Sequence, residues 1–66
     1  MKVGDSVVLN RDIPRLGARV GQPVRVVADH GENRVSPLLH YWEVSWCSGA
    51  ENKQVQLVCR DDWLKE

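Results

Sequence analysis

Two apolar runs, each launched by a glycine and a polar residue, constrain this chain more than anything else in it. The first is Val3-Gly4-Asp5-Ser6-Val7-Val8-Leu9, and the second is Val20-Gly21-Gln22-Pro23-Val24-Arg25-Val26-Val27. Both read as strands entered through a turn. The segment between them, Arg11 to Gly21, holds Pro14, Gly17 and Gly21 and no helical periodicity. Pro14 has no N–H and restricts Ile13, which argues against a central strand or a helix. Gly17 and Gly21 suit turns that need positive φ. Ile13, Leu16 and Val20 are the expected inward anchors of this loop, which without anchors is mostly lost entropy. Two short strands joined by such a loop imply a small, strongly bent sheet, expected to close into a barrel.

The first strand is expected over Ser6 to Asn10, and the second over Pro23 to Ala28, with Pro23 at a permitted first position. Asp29-His30-Gly31-Glu32-Asn33 reads as a turn or hairpin tip. Pro37 argues against a regular strand over Arg34 to Leu39, so Asp29 to Leu39 is expected to be one irregular connection. The clearest strand is His40 to Cys47. Trp42, Val44 and Trp46 fall on one face, expected to be the core face against Val55 and Leu57, and Tyr41, Glu43, Ser45 and Cys47 on the other. Ser48 to Asn52 is a turn, and Lys53 to Cys59 is the returning strand, with Val55, Leu57 and Cys59 facing the core. Counting back from that turn places Cys47 opposite Lys53 or Gln54. Asp61-Asp62 can cap a short turn. The end of the chain is too short for an independent helix, so a 3₁₀ turn leading into a short final strand is expected, with Trp63 or Leu64 dropping into the core.

Sixty-six residues allow one domain, over 1–66. A chain of this size buries only ~60% of the surface its unfolded form exposes. Nine basic and nine acidic side chains balance to a formal charge of +0, which disfavours generic polyanion binding. Arg11, Arg15 and Arg19 make a local basic patch, diluted by Asp12. No segment approaches the ~20 apolar residues of a membrane-spanning helix. Val3-Gly4-Asp5 stands where a signal peptide needs its apolar region. A cytoplasmic protein follows as the expectation, with Cys47 and Cys59 as free thiols. Cys59 is read as a small core hydrophobe and Cys47 as half-buried.

Laid out in this order, the strands resemble an SH3-like barrel over nearly the whole chain. The resemblance rests on the two glycine-launched strands, on Tyr41-Trp42-Glu43-Val44-Ser45-Trp46, and on Asp61-Asp62-Trp63-Leu64. The nearest kinds are bacterial single-domain SH3-like proteins, such as small accessory subunits of photosynthetic and redox complexes. More distant are KOW-type modules of ribosomal and transcription proteins. The implied fold is all-β: a small SH3-like barrel of about five antiparallel strands with a short 3₁₀ turn before the last. KOW modules touch RNA through basic residues around a glycine-centred strand-loop-strand. Here Val20-Gly21-Gln22-Pro23 is followed only by Arg25, which departs from that pattern. Because the fold hosts many unrelated functions, function must be argued from a site.

Few residues point to chemistry. Cys47, Cys59, His30 and His40 lack the close-spaced pairs of a structural zinc site. Asp29-His30 beside Glu32 has no accompanying nucleophile, and His30 and His40 read as surface histidines. No phosphate-binding glycine loop or HExxH is present, and Ser36, Ser45 and Ser48 lack a nucleophile context. One tyrosine, Tyr41, is too few for proline-ligand recognition. Three tryptophans are many for so small a core. Trp42 or Trp46 is therefore expected to be at least half exposed as a partner-binding platform, with Tyr41 on the opposite face. The expected function is a small non-catalytic protein–protein interaction or accessory module. Its partner would be another protein, met by Arg11, Arg15, Arg19, Tyr41, Trp42 and Trp46, by the Asp29 to Leu39 connection, and with no cofactor or metal. The alternative is a nucleic-acid or ribosome-associated module. A third class is an enzyme whose site is shared between copies.

Overall fold

The computed structural model describes residues 1–32, 40–49 and 52–66. The expected irregular run from Arg34 to Leu39, and Ala50 and Glu51 of the expected hairpin turn, lie outside the described residues. The described residues form five strands: β1 (Ser6–Leu9), β2 (Pro23–Glu32), β3 (His40–Ser48), β4 (Lys53–Arg60) and β5 (Leu64–Lys65). They make one antiparallel sheet in the order β4-β3-β2-β1-β5. A 3₁₀ turn over Asp61–Trp63 leads into β5, as expected. β1 lies between β2 and β5, pairing Val7 with Val24 and Leu9 with Leu64. The sheet curls into a half-barrel of SH3-like topology in the general sense. Among the described residues β4 and β5 stand at its two edges.

The curl follows from alternation. Val7 and Leu9 of β1, Val24 and Val26 of β2, Trp42, Val44 and Trp46 of β3, and Leu57 and Cys59 of β4 all face inward and are buried. Leu64 of β5 completes the wall. Each fully buried Val or Leu contributes roughly 1.5–3 kcal/mol of transfer free energy. The β3–β4 hairpin keeps the register expected of it, with Cys47 opposite Gln54 and Val44 opposite Leu57.

β2 differs from its sequence reading. It does not stop at Ala28 but runs on to Glu32, so Asp29 to Glu32 is strand and not a hairpin tip. It accommodates turn-like residues through two register shifts against β3, one between Val26 and Ala28 and one between Asp29 and Gly31. Each is the signature of a β-bulge, which bends the strand and strengthens its twist. At the second, Asp29 Oδ1 accepts the Gly31 N–H at 2.8 Å.

The loop after β1 is tied to the sheet at both ends and across its middle. The Leu9 N–H donates to the Gln22 carbonyl and the Gly21 N–H to the Leu9 carbonyl. An isolated bridge joins Ile13 and Ala18 and encloses a 3₁₀ turn over Pro14–Leu16. Gly17 ends that turn at φ 69°, in the left-handed region. Ile13 and Ala18 are buried and Leu16 packs against the core. Val20, expected to point inward, is 61% exposed. Asp12 Oδ1 accepts the Val20 N–H at 2.9 Å, and the adjoining turn sends its side chain outward while Ala18 takes the inward place.

Candidate functional site

The face of Trp42 and Trp46 is the core face, as expected, but their exposure is not what the platform reading required. Trp42 and Trp46 are 8% and 7% exposed and belong to the core, so neither is the half-exposed platform expected. The small core takes both because the other inward positions are mostly Val, Leu, Ala and Cys. The accessible indole is that of Trp63, half-buried and packed against the edge of the core.

Trp63 is flanked by two guanidiniums. Arg11 Cζ lies 4.4 Å from its ring centroid and Arg60 Cζ 5.9 Å. A cation over an indole is attracted by the ring quadrupole within ~6 Å, which holds the arginine in place as well as stabilising it. The chain delivers these residues from its two ends. Arg11 follows β1, Trp63 precedes β5, and the β1–β5 pairing brings them together. Asn10 secures the junction: its N–H donates to the Trp63 carbonyl at 2.7 Å, and its Nδ2 donates to the Asp62 carbonyl at 3.4 Å. The Trp63 Nε1–H has no acceptor among the described residues, so the ring is held by its faces and not by its polar edge.

The two arginines differ in what remains for a partner. Arg60 Nε already lies 3.3 Å from Asp62 Oδ1. Arg11 has no carboxylate partner among the described residues. Its guanidinium is therefore held over the indole while its N–H donors have no carboxylate among the described residues. Arg60 in turn lies opposite Tyr41 in the β3–β4 register. The result is a strip running Tyr41, Arg60, Trp63, Arg11. Arg15 and Arg19 are exposed on the same loop as Arg11, Arg15 in the 3₁₀ turn and Arg19 beside a shallow depression shared with Asp12 and Ala18.

The histidines and cysteines lie apart from this strip. His30 Nε2 and Glu43 Oε1 are 2.9 Å apart, and His40 Nε2 and Asp29 Oδ1 are 2.5 Å apart. The His40 ring stacks on Trp42 with centroids 4.3 Å apart. Both histidines thus brace the β2–β3 ribbon. No group of three or more His, Cys, Asp or Glu residues is placed to hold a metal ion among the described residues. Both cysteines are free. Cys59 is buried, and burial first, with Asp62 second, pushes its thiol up to about 11. Cys47 is exposed and not half-buried as expected. No helix among the described residues is long and apolar enough to cross a membrane.

Trp63 as platform and Arg11 as its stacked partner are a pairing that the sequence reading missed. The only local signal is Arg60-Asp61-Asp62-Trp63, an aromatic beside charge at the end of the last long strand. Arg11 adds its part through a pairing that no sequence window contains. Comparison with family models, with curated proteins and with solved structures finds no match for this chain. What is shown is a small all-β module of a shape often used for protein–protein contacts, carrying a stacked arginine–tryptophan strip.

Proposed function

We propose that this protein is a non-catalytic interaction module that holds an acidic segment of a protein partner against the strip Tyr41, Arg60, Trp63, Arg11. The observation that carries this is Arg11, stacked over Trp63 at 4.4 Å and without a carboxylate of its own among the described residues. A pre-oriented guanidinium loses little freedom on binding and offers a fork that matches a carboxylate. Arg15 and Arg19 on the same loop supply further positive charge at the rim, where charge governs encounter and selectivity.

Two features favour an acidic protein segment over a nucleic acid. Arg11 occupies an indole face on which a base would stack. The formal charge of +0 gives little field to gather phosphates. The resemblance to bacterial single-domain SH3-like proteins that serve as accessory subunits supports a supporting role within a larger assembly. Two free thiols accord with a reducing, cytoplasmic setting.

The test is titration of a fluorescein-labelled octapeptide rich in Asp and Glu, followed by anisotropy. The wild-type protein is expected to bind with an affinity that falls with salt. Arg11→Gln is expected to weaken binding about tenfold, the size of one charge-assisted hydrogen bond. Arg11→Lys keeps the charge but not the fork, and is expected to recover only part of the loss. Tighter binding of a single-stranded oligonucleotide of equal charge, or equal binding by all three proteins, would overturn the proposal.

A further inference from the structure

The outward face of the sheet carries a depression of about 440 Å³ lined by Arg25, Val27, Ser45, Trp46, Cys47 and Gln54. It spans three adjacent strands. Arg25 of β2 lies opposite Ser45 of β3, and Cys47 of β3 lies opposite Gln54 of β4. Its floor is Ser45, which alternation places on the outer face but which is only 7% exposed. Gln54 reaches diagonally across and donates its Nε2–H to Ser45 Oγ at 2.8 Å. A hydroxyl that accepts one bond keeps its own proton to donate. Arg25 is exposed and has no carboxylate partner among the described residues. The polar side of the depression is thus rich in donors. Its other side is apolar, made by Val27, which the first bulge of β2 leaves 38% exposed, while Trp46, whose ring faces the core, adds only the small part of it that reaches the depression.

We infer that this depression binds a carboxylate carried on a short apolar body, the carboxylate against Arg25 and the Ser45 hydroxyl, the apolar body against Val27. Guanidinium, hydroxyl and amide together offer hydrogens to an anion, and an apolar wall beside them is the usual composition of a small-molecule site. A free aliphatic acid and the C-terminal carboxylate of a chain ending in an apolar residue share this chemistry. The site stands apart from the arginine–tryptophan strip. Cys47 and Tyr41 share the outer face of β3 but are six positions apart, about 20 Å along an extended strand. It therefore holds or fails independently of that strip.

Cys47 at the rim provides the readout. Cys59 is buried with its thiol pushed up to about 11, so a thiol reagent at pH 8 reads Cys47 in the folded protein. Hexanoate is expected to slow the labelling of Cys47 and to move the Gln54 side-chain amide resonances in the ¹H–¹⁵N spectrum. Hexanamide, equal in size and uncharged, is expected to do neither. Acetyl-glycyl-leucine with a free carboxylate, compared with its amide, tells a chain end from a free acid, and protection by either carboxylate supports the site. Arg25→Gln is expected to weaken hexanoate binding about tenfold, as the loss of a charge-assisted hydrogen bond requires. Arg11→Gln is expected to leave it unchanged. Absence of any effect from both carboxylates, or equal effects from the amides, would overturn the inference.

Discussion

Asp29 accepts two interactions on one oxygen. The Gly31 N–H donates to Oδ1 at 2.8 Å, and His40 Nε2 lies 2.5 Å from the same atom. The backbone bond from Gly31, followed by His40, holds its carboxyl below the ordinary aspartate value. His30 on the same strand adds a smaller pull in the same direction. The fold thus favours the charged carboxylate. Its contribution is present above the unfolded-state pKa and is lost as pH falls through the lower folded value. Asp29→Asn keeps an oxygen for Gly31 but gives up the charge. Urea denaturation across the acid range is expected to show wild type and variant converging below about pH 4, the ordinary aspartate region. Parallel curves with a constant offset would assign Asp29 a role independent of its charge. This residue also marks where residue-level reading of the sequence stops. Asp29, His30 and Gly31 were legible as polar and bend-prone, but which partner each would meet depends on β3. For the same reason the face shared by Trp42 and Trp46 was legible while the exposure expected of one of them was wrong, because burial depends on what β1, β2 and β4 bring over them.

Elements with clean alternation were legible, and those held by long-range bonds were not. β3 and β4 declare their faces by period two, and their register follows from the turn between them. β2 conceals its full length, because a bulge and a turn draw on the same residues and Gly31 satisfies either. In the loop after β1, backbone conformation can be separated from packing. Gly17 stands at φ 69° and Gly49 does not have positive φ, while a methyl group at either position would meet nothing within 4 Å. Any cost of Gly17→Ala is therefore conformational and not steric. It is expected to destabilise by about 1–2 kcal/mol, the cost of a left-handed residue with a side chain. Gly49→Ala is expected to cost nothing or to stabilise slightly by restricting the unfolded chain. Chemical denaturation of both variants measures the difference. Equal effects would mean that the 3₁₀ turn relaxes to relieve Gly17, and that Ile13 and Ala18 alone hold the loop.

At the scale of the whole molecule, β1 is the hinge on which both fold and strip depend. It pairs with β2 through a loop that the sequence contains, and with β5 from the far end of the chain. The second pairing sets Leu9, which is fully buried, opposite Leu64, which is 7% exposed, and in doing so lays Trp63 under Arg11. Closing so long a stretch of chain costs entropy before its contacts return anything. The β3–β4 hairpin and its junction with β2 need shorter closures and are expected to form first. Leu64→Ala should then cost about 2–5 kcal/mol of stability, a large share of what a domain of this size holds. The loss is expected almost wholly in a faster unfolding rate, with a φ-value of about 0–0.3. Stopped-flow tryptophan fluorescence gives both rates. A folding rate that drops in proportion to the lost stability would place the β1–β5 pairing inside the folding nucleus. In that event the arginine–tryptophan strip would be assembled early. A faster unfolding rate alone would make it the last part of the molecule to form and the first to open.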